Sequence, residues 1–289
     1  MALACMMAAG EATSGTERCA GREAGGTAAA QRETPVPKEL LERVADAGER
    51  FLTAYHSLAA EEILVQTKFN RKGQVETQRR IVSDYAVLRL AGPNGNEVVE
   101  LRDAVATDGK EIQDAQKRQT KWARLGEAAT RAQLSSLFQE APAHRLFREY
   151  FTGLTLLVTR FAARHREKMK FYFAPDSEDS SGKLVVLGYR QASGEGLMSL
   201  DGKAVFPNGR AWVDPDSGQI WRIEEWFDGE KSARFRVTLD FSVQHLPGRT
   251  VVTRIVVRMS VKGRLDTESE YSYTDHRSIE PAARAGTAP

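Results

Sequence analysis

The chain has 289 residues, 41% hydrophobic and 28% charged, with a formal net charge of +2, which is the make-up of a folded chain with apolar material for one large domain or two small ones. So even a charge balance argues against the clustered basic face that nucleic-acid binding needs, and no run approaches the roughly 18 apolar residues of a membrane-spanning helix. Both cysteines, Cys5 and Cys19, stand too near the start to hold a core together.

Residues 1–34 are rich in Ala, Gly, Thr and Glu and lack periodic apolar positions, so they are expected to be a disordered head. The opening Met-Ala-Leu-Ala-Cys-Met-Met-Ala-Ala-Gly also reads as the remnant of a secretory signal without its charged start, since the first basic residue is Arg18. Pro35 and Pro37 end the head. A helix is predicted next, with Leu40, Val44, Ala47, Phe51, Tyr55 and Leu58 at three- and four-residue spacing along one stripe. Strands follow, marked by the alternation of Ile63, Val65, Thr67 and Phe69, the turn at Arg71 to Gly73, a long strand to Leu90, a turn at Pro93 to Gly95, and Val98 to Val105. Asp108-Gly109 signals a tight hairpin.

Between about 115 and 168 the pattern turns helical. Its first part is mostly polar, with Leu134, Leu137 and Phe138 as anchors, and from Gly153 onward Leu154, Leu157, Val158, Phe161, Ala162 and His165 share a face. Such an insertion either packs the open side of a sheet or forms a movable cover. Strands resume at Phe171 to Phe173 and at Leu184 to Gln191.

The last third has the strongest pattern. Ala233, Phe235, Val237, Leu239, Phe241 and Val243 alternate with polar residues, the period of two that separates a strand's faces. Turn spacing predicts register, because facing residues of an antiparallel pair share a face. A loop around Pro247 sets Leu239 opposite Ile255, Val237 opposite Val257, Phe235 opposite Met259 and Asp240 opposite Arg254. A three-residue loop at Lys262 to Arg264 sets Val261 opposite Leu265, Ile255 opposite Tyr271 and Arg258 opposite Glu268. The hairpin Val213 to Ile220, with Pro215 and Gly218 in turn positions, predicts Val213 across from Ile220 and Trp212 across from Trp221. That Trp pair reads as cross-strand packing, with a cavity wall as the functional alternative. Residues 280–289 are expected to be a free tail.

An amino-terminal helix, about ten consecutive antiparallel strands interrupted by a helical insertion, and the Asp-Pro-x-Ser-Gly turn at 214–218 followed by Trp-Arg-Ile-Glu at 221–224 together resemble the LolA/LolB-like bacterial lipoprotein carrier family, and in particular lipoprotein-sorting-like proteins of soil bacteria. The resemblance spans roughly 38–278. It implies an α+β half-barrel, a large curved antiparallel sheet whose apolar face is covered by the helices, and acyl chains carried in the hollow between them. The expected organisation is a head at 1–34, one domain at 35–279 and a tail at 280–289.

Catalysis finds little support. The histidines at 56, 144, 165, 245 and 276 are scattered, and there is no nucleophile elbow, phosphate loop or dinucleotide glycine pattern. His165, on the apolar side of its segment, reads as a core histidine before a base. Asp214, Asp216 and Glu225 have part of a calcium-loop spacing, but Gly218 and Gln219 stand where a ligand and the turn glycine belong. Glu224 and Glu225 are predicted to face opposite ways. No cofactor is expected. The predicted apolar ligand face comprises Phe235, Val237, Leu239, Phe241, Ile255, Val257, Met259, Trp212 and Trp221 of the sheet, with Leu154, Leu157 and Phe161 of the cover. Arg160, Arg164, Arg166, Lys168 and Lys170 form a basic cluster, either a solvated face or a contact for anionic lipid or a protein. The expected function is extracytoplasmic binding or carriage of a hydrophobic ligand such as an acyl chain, in the periplasm if the start is a signal remnant. The alternative is a non-catalytic scaffold with a filled core, and a hydrolase without a recognisable motif comes third.

Overall fold

Pro37 starts the first helix by offering its carbonyl to the amides of Leu40 and Leu41, both at 3.2 Å. Helix α1 then runs Lys38–Tyr55 and buries Leu40, Val44, Gly48, Phe51, Leu52 and Tyr55 along one stripe. In the computed structural model the described residues are 33–55, 58–92, 95–112, 115–125, 144–147, 158, 160–174, 183–192, 198–200, 203–228, 233–243, 250–261 and 263–279. Those described residues lie in one compact unit beginning at Glu33. Residues 1–32 of the predicted head, the tail, Leu134, Leu137, Phe138, Leu154 and Leu157 lie outside the described residues, but Glu33 and Thr34, assigned to the head from the sequence, belong to the fold, Thr34 facing Phe173 and Glu33 pairing with Lys170 and Arg190.

The strands are β1 (Thr34–Pro35), β2 (Leu58–Phe69), β3 (Val75–Gly92), β4 (Gly95–Thr107), β5 (Lys110–Glu111), β6 (Met169–Phe173), β7 (Val185–Gln191), β8 (Met198–Leu200), β9 (Lys203–Val205), β10 (Asn208–Val213), β11 (Ile220–Asp228), β12 (Ala233–Val243), β13 (Thr250–Val261) and β14 (Arg264–Ser278). Twelve of them form one open antiparallel sheet in the order β1-β6-β7-β10-β11-β12-β13-β14-β2-β3-β4-β5, and β8 and β9 pair separately. This is an α+β fold with a curved sheet around α1. Leu58, predicted as the last turn of the helix, instead opens β2, where it pairs with Val87 and Ser278.

Local turn chemistry sets most registers. Asp108 and Gly109 both take positive φ, 49° and 78°, the pairing that a two-residue hairpin turn needs. Leu239 faces Ile255, Val237 faces Val257, Phe235 faces Met259 and Asp240 faces Arg254, as the sequence predicts. Ile255 faces Tyr271 and Arg258 faces Glu268 as well, but Val261 pairs with Arg264 rather than Leu265. The turn there is shorter by one residue, with Gly263 at φ 74°, and a bulge beside Met259 and Ser260 absorbs the difference before the register reaches Arg258.

A second correction concerns the tryptophans. Val213 does face Ile220, but a bulge follows and Trp212 faces Arg222, so Trp221 is the extra residue and the two indoles are not a cross-strand pair. The turn between these strands is pinned from both sides. Asp214 accepts hydrogen bonds at Oδ1 from the amides of Asp216 (2.9 Å) and Ser217 (3.1 Å), and these backbone donors hold its carboxyl below the usual carboxylate range. Arg43 of α1 donates from Nε to the Pro215 carbonyl at 3.0 Å. Gly218, at φ 72°, sits so near α1 that an added Cβ would lie 2.3 Å from the Arg43 backbone. Gly218→Ala is therefore expected to cost about 2–4 kcal/mol, from left-handed strain together with forced separation of turn and helix. A urea midpoint unchanged from the parent chain would show that the turn does not bear on α1.

The helical insertion divides between the two faces. Helix α2 (Ala115–Leu125) lies on the side of β3 and β4 turned away from α1. There Arg118 makes a double hydrogen bond to Asp84, 3.1 Å from Nε and 2.8 Å from Nη2, and Trp122 packs on Ala86, Val99 and Leu101 beneath the Arg277 guanidinium. Residues 144–147 and the stretch around Val158 and Phe161 lie instead on the inner face, the one α1 covers. The helix predicted through 153–165 is broken at Ala162, whose ψ of 142° is extended, before the short α3 (Ala163–Arg166).

Candidate functional site

The inner face is lined across strands by register. Ile223, Leu239, Ile255, Tyr271, Leu64 and Ile81 form one row from β11 to β3, and Ile223, Ile255, Tyr271, Leu64 and Ile81 are all buried. Of the predicted ligand face, Ile255 is core, Val257 packs against the core from a half-buried position, and Phe161 is buried between Phe171 and Tyr189. Met259 is half-buried. The backbones of Phe235, Val237, Leu239 and Phe241 are in place in β12, while their side chains lie outside the described residues. Trp212 belongs to the opposite face, because its neighbours Ala211 and Val213 are the fully buried ones. There Arg222 stacks on Trp212 at 4.8 Å and Arg210 reaches both Trp212 and Trp226, with Glu224 between the two cations at 3.4 and 2.8 Å.

Where the C-terminal half of α1 passes the turn of β10 and β11, a cleft of about 220 Å³ opens. Phe51, Val158 and Ile220 make its apolar floor, Ala47, Gly48 and Ala54 leave room by being small, and Arg50, Ser217, Gln219 and Thr250 form a polar rim. Gln219 is fixed by a 2.6 Å hydrogen bond from Nε2 to the Thr250 hydroxyl. Gly48 also lets the Val158 segment approach, since a Cβ there would stand 3.3 Å from the Val158 side chain. The floor is continuous with the main core, because Phe51, Val158 and Ile220 all belong to it.

The inner face also carries buried charge that the alternation of apolar residues does not announce. Arg160, 2% exposed, donates to both oxygens of the fully buried Glu225 at 3.1 and 3.3 Å, and the Tyr189 hydroxyl donates to the same carboxylate at 3.0 Å. Arg160 is thus unable to serve a surface contact, so among the described residues the predicted basic cluster is not a single patch. Lys170 pairs with Glu33 at 2.6 Å, Arg166 donates to the Leu41 carbonyl, Lys168 is half-buried, and the side chain of Arg164 lies outside the described residues. Glu224 and Glu225 do face opposite ways, as predicted.

A second polar group sits on β2 to β4. Arg102 donates from Nε to Glu62 at 2.8 Å and from Nη2 to Glu100 at 3.1 Å, and it lies over the Tyr85 ring at 4.9 Å. The buried hydroxyls of Tyr55, Tyr85 and Tyr273 make no well-formed hydrogen bond. Burial first, and then the Glu100 or Glu62 charge, pushes all three phenols up; a loose approach of Tyr85 works the other way on Tyr55. On β2 it is Ala60, Glu62, Leu64 and Gln66 that face inward, while the predicted markers Ile63 and Val65 are half-exposed. The one sequence signal for this is parity with Leu58, Ala60 and Leu64.

Among the described residues of the inner face, Glu62 and Glu100 are paired with Arg102 and Glu225 with Arg160. Asp214 serves its own turn while Glu225 is buried under Arg160, so the calcium-like spacing gathers no site. Among the described residues no cluster of three His, Cys, Asp or Glu side chains is placed to hold a metal. His276 lies 3.0 Å from the Val252 carbonyl and burial holds its pKa down; His144 and His165 stand apart from it, half-buried.

Comparison with solved structures finds three distant likenesses. A domain named for outer membrane lipoprotein sorting from Vibrio parahaemolyticus shares 14% identity over 86% of this chain and 93% of its own, with a TM-score of 0.42. A LolA superfamily protein from Nitrosomonas europaea shares 13% over 84% and 93%, with a TM-score of 0.33. A DUF1329 family protein from Desulfovibrio piger shares 11% over 86% and 95%, with a TM-score of 0.38. No family model and no curated protein matches the chain. At TM-scores below 0.5 these likenesses say nothing of ligand or function, which have to come from the chain's own side chains.

Proposed function

We propose that the protein is a non-catalytic binding or carrier protein that holds an acyl chain, or a ligand of like hydrophobicity, between α1 and the curved sheet. The observation that carries this is the cleft beside α1, whose floor of Phe51, Val158 and Ile220 is open core and whose rim is polar. An amphiphile needs that combination, an apolar floor for its chain and wet groups for its head. At about 220 Å³ the space is below the roughly 300 Å³ at which small-molecule sites usually begin, which suits one chain end. About six buried methylenes at about 0.8 kcal/mol each supply about 5 kcal/mol, equivalent to a dissociation constant on the order of 0.1 mM. Binding that weak suits handover. An extracytoplasmic compartment, the periplasm in a bacterium, is part of the proposal.

The test is to fill the cleft. Ala54→Trp is expected to reduce uptake of a fluorescent fatty acid at least about tenfold, a loss of about 1.4 kcal/mol or more, with circular dichroism unchanged. Undiminished uptake by the folded variant would remove the cleft as the site. The second reading, a scaffold with a solid core, is favoured by the dense packing of Leu40, Val44, Leu52 and Tyr55 against the sheet. It predicts no lipid in native mass spectra and no uptake by the parent chain.

A further inference from the structure

The polar rim of the cleft beside α1 is uneven in its chemistry. Its polar side chains are Arg50, Ser217, Gln219 and Thr250, each of which can donate a hydrogen bond. Among the described residues lining the cleft, Arg50 carries the one charge and none has a carboxylate. Helix geometry places that charge. Arg43, Ala47, Arg50 and Ala54 follow one another at four-, three- and four-residue steps along the side of α1 that meets the turn of β10 and β11. Arg43 is committed to that turn through the Pro215 carbonyl. Arg50 stands two helical turns further on, and among the described residues it has no hydrogen-bond or ion-pair partner. A helical side chain leans toward the N-terminus of its helix, so Arg50 reaches back over the turn held by Ala47, whose small side chain leaves the mouth of the cleft open.

Gln219 and Thr250 complete the donor set. Gln219 gives one N–H of its side-chain amide to the Thr250 hydroxyl oxygen at 2.6 Å. A primary amide has a second N–H, and a hydroxyl that has accepted still has its proton to give. Ser217 serves its own turn, accepting from the Gln219 backbone amide at 3.2 Å. The acid of that turn, Asp214, is spent on the amides of Asp216 and Ser217, and Asp46, Glu49 and Asp216 are exposed outside the lining. A guanidinium, a hydroxyl and an amide N–H at the mouth of an apolar cleft match a head group that accepts hydrogen bonds and carries negative charge.

We infer that the ligand of this cleft is a single-chain amphiphile with an anionic oxygen head, a carboxylate or a phosphate, held by Arg50 with Thr250 and Gln219 while its chain lies on Phe51, Val158 and Ile220. The inference rests on the reading of the cleft as an acyl-chain site and adds the sign of the head. Because Arg50 is exposed, the head supplies selectivity more than affinity, since exposed ion pairs are weak and screened by salt.

The experiment titrates octanoate, octyl phosphate, 1-octanol and octylammonium, which share one chain length, into the full chain by calorimetry at neutral pH and low salt. Octanoate or octyl phosphate is expected to bind at least about threefold tighter than 1-octanol and about tenfold tighter than octylammonium. The tighter of the two anions identifies the head as that of a fatty acid or of a lipid phosphate. Arg50→Gln is expected to bring both anions to the affinity of 1-octanol, and Arg50→Glu to put octylammonium ahead of them, with circular dichroism unchanged. Ala54→Trp is expected to weaken every ligand at least about tenfold, which ties the preference to this cleft, and a preference untouched by it would overturn the assignment. Anions, 1-octanol and octylammonium binding alike, or a preference for anions that survives Arg50→Glu, would overturn the anionic head and leave the acyl cleft standing. Failure of every ligand to bind would remove the cleft reading and the head with it.

Discussion

Arg160→Ala is expected to lose about 3–5 kcal/mol of folding stability, the usual consequence of leaving one member of a buried ion pair behind. Glu225 is fully buried, and without Arg160 its remaining side-chain donor would be the Tyr189 hydroxyl. A carboxylate in that position has neither water nor a countercharge. Against a total stability of about 5–15 kcal/mol for a typical domain, the loss brings the chain near unfolding at room temperature. The paired change Arg160→Met with Glu225→Leu is expected to recover most of it, because apolar groups of similar volume need no countercharge. Urea titrations of the parent, single and double variants make the comparison. A loss below about 1 kcal/mol in the single variant, the range of exposed pairs, would mean that water reaches the site.

Above pH 10 stability is expected to fall by up to about 5 kcal/mol per pH unit. Tyr55, Tyr85, Tyr189 and Tyr273 are buried, and desolvation, the largest effect at each, raises every one of these phenols above its ordinary value of 10.0. Nearby carboxylates add to the rise, Glu225 at Tyr189 and Glu100 or Glu62 at the others. A raised folded pKa means that the neutral form is the one the fold accepts. The contribution is whole below the unfolded value near 10 and is lost as pH climbs from there toward the folded value. Each phenol then contributes about 1.4 kcal/mol per pH unit, and four together about 5. Phenolate absorbance from these four is expected to appear in the same transition as loss of circular dichroism. Phenolate growing in near pH 10 from all of them while the fold persists would contradict their burial.

Both effects arise where polar groups point into the sheet, the part of the molecule hardest to read from the chain. Ile63 and Val65 attract attention as the apolar markers of β2, yet Glu62, Leu64 and Gln66 are the inward set. Glu62 is tolerable there because Arg102 arrives from β4, 40 residues away, and Gln66 because a passing segment uses both ends of its amide. Neither partner is visible from local pattern. The same holds for Arg160, which falls in a run of basic residues and reads as surface until Glu225 is placed opposite it. The cleft was legible only in part. Phe51 belongs to the predicted stripe of α1, but the role of Gly218 depends on an approach between turn and helix that no spacing reveals.

What the sequence determined by itself is everything that short-range geometry controls. The stripe of α1, the alternation of β12, the turns at Asp108-Gly109 and Pro215 to Gly218, and the register of β12 on β13 follow from side-chain period and from which residues accept a given φ, and these are properties of a few neighbouring residues. Tertiary structure decided that β14 lies beside β2, joining the end of one meander to the start of the other, and that α2 covers the face away from α1. It also decided which charges are buried. Those outcomes depend on contacts between residues far apart in the chain, where each buried polar group is stable only once its partner has come in from another strand.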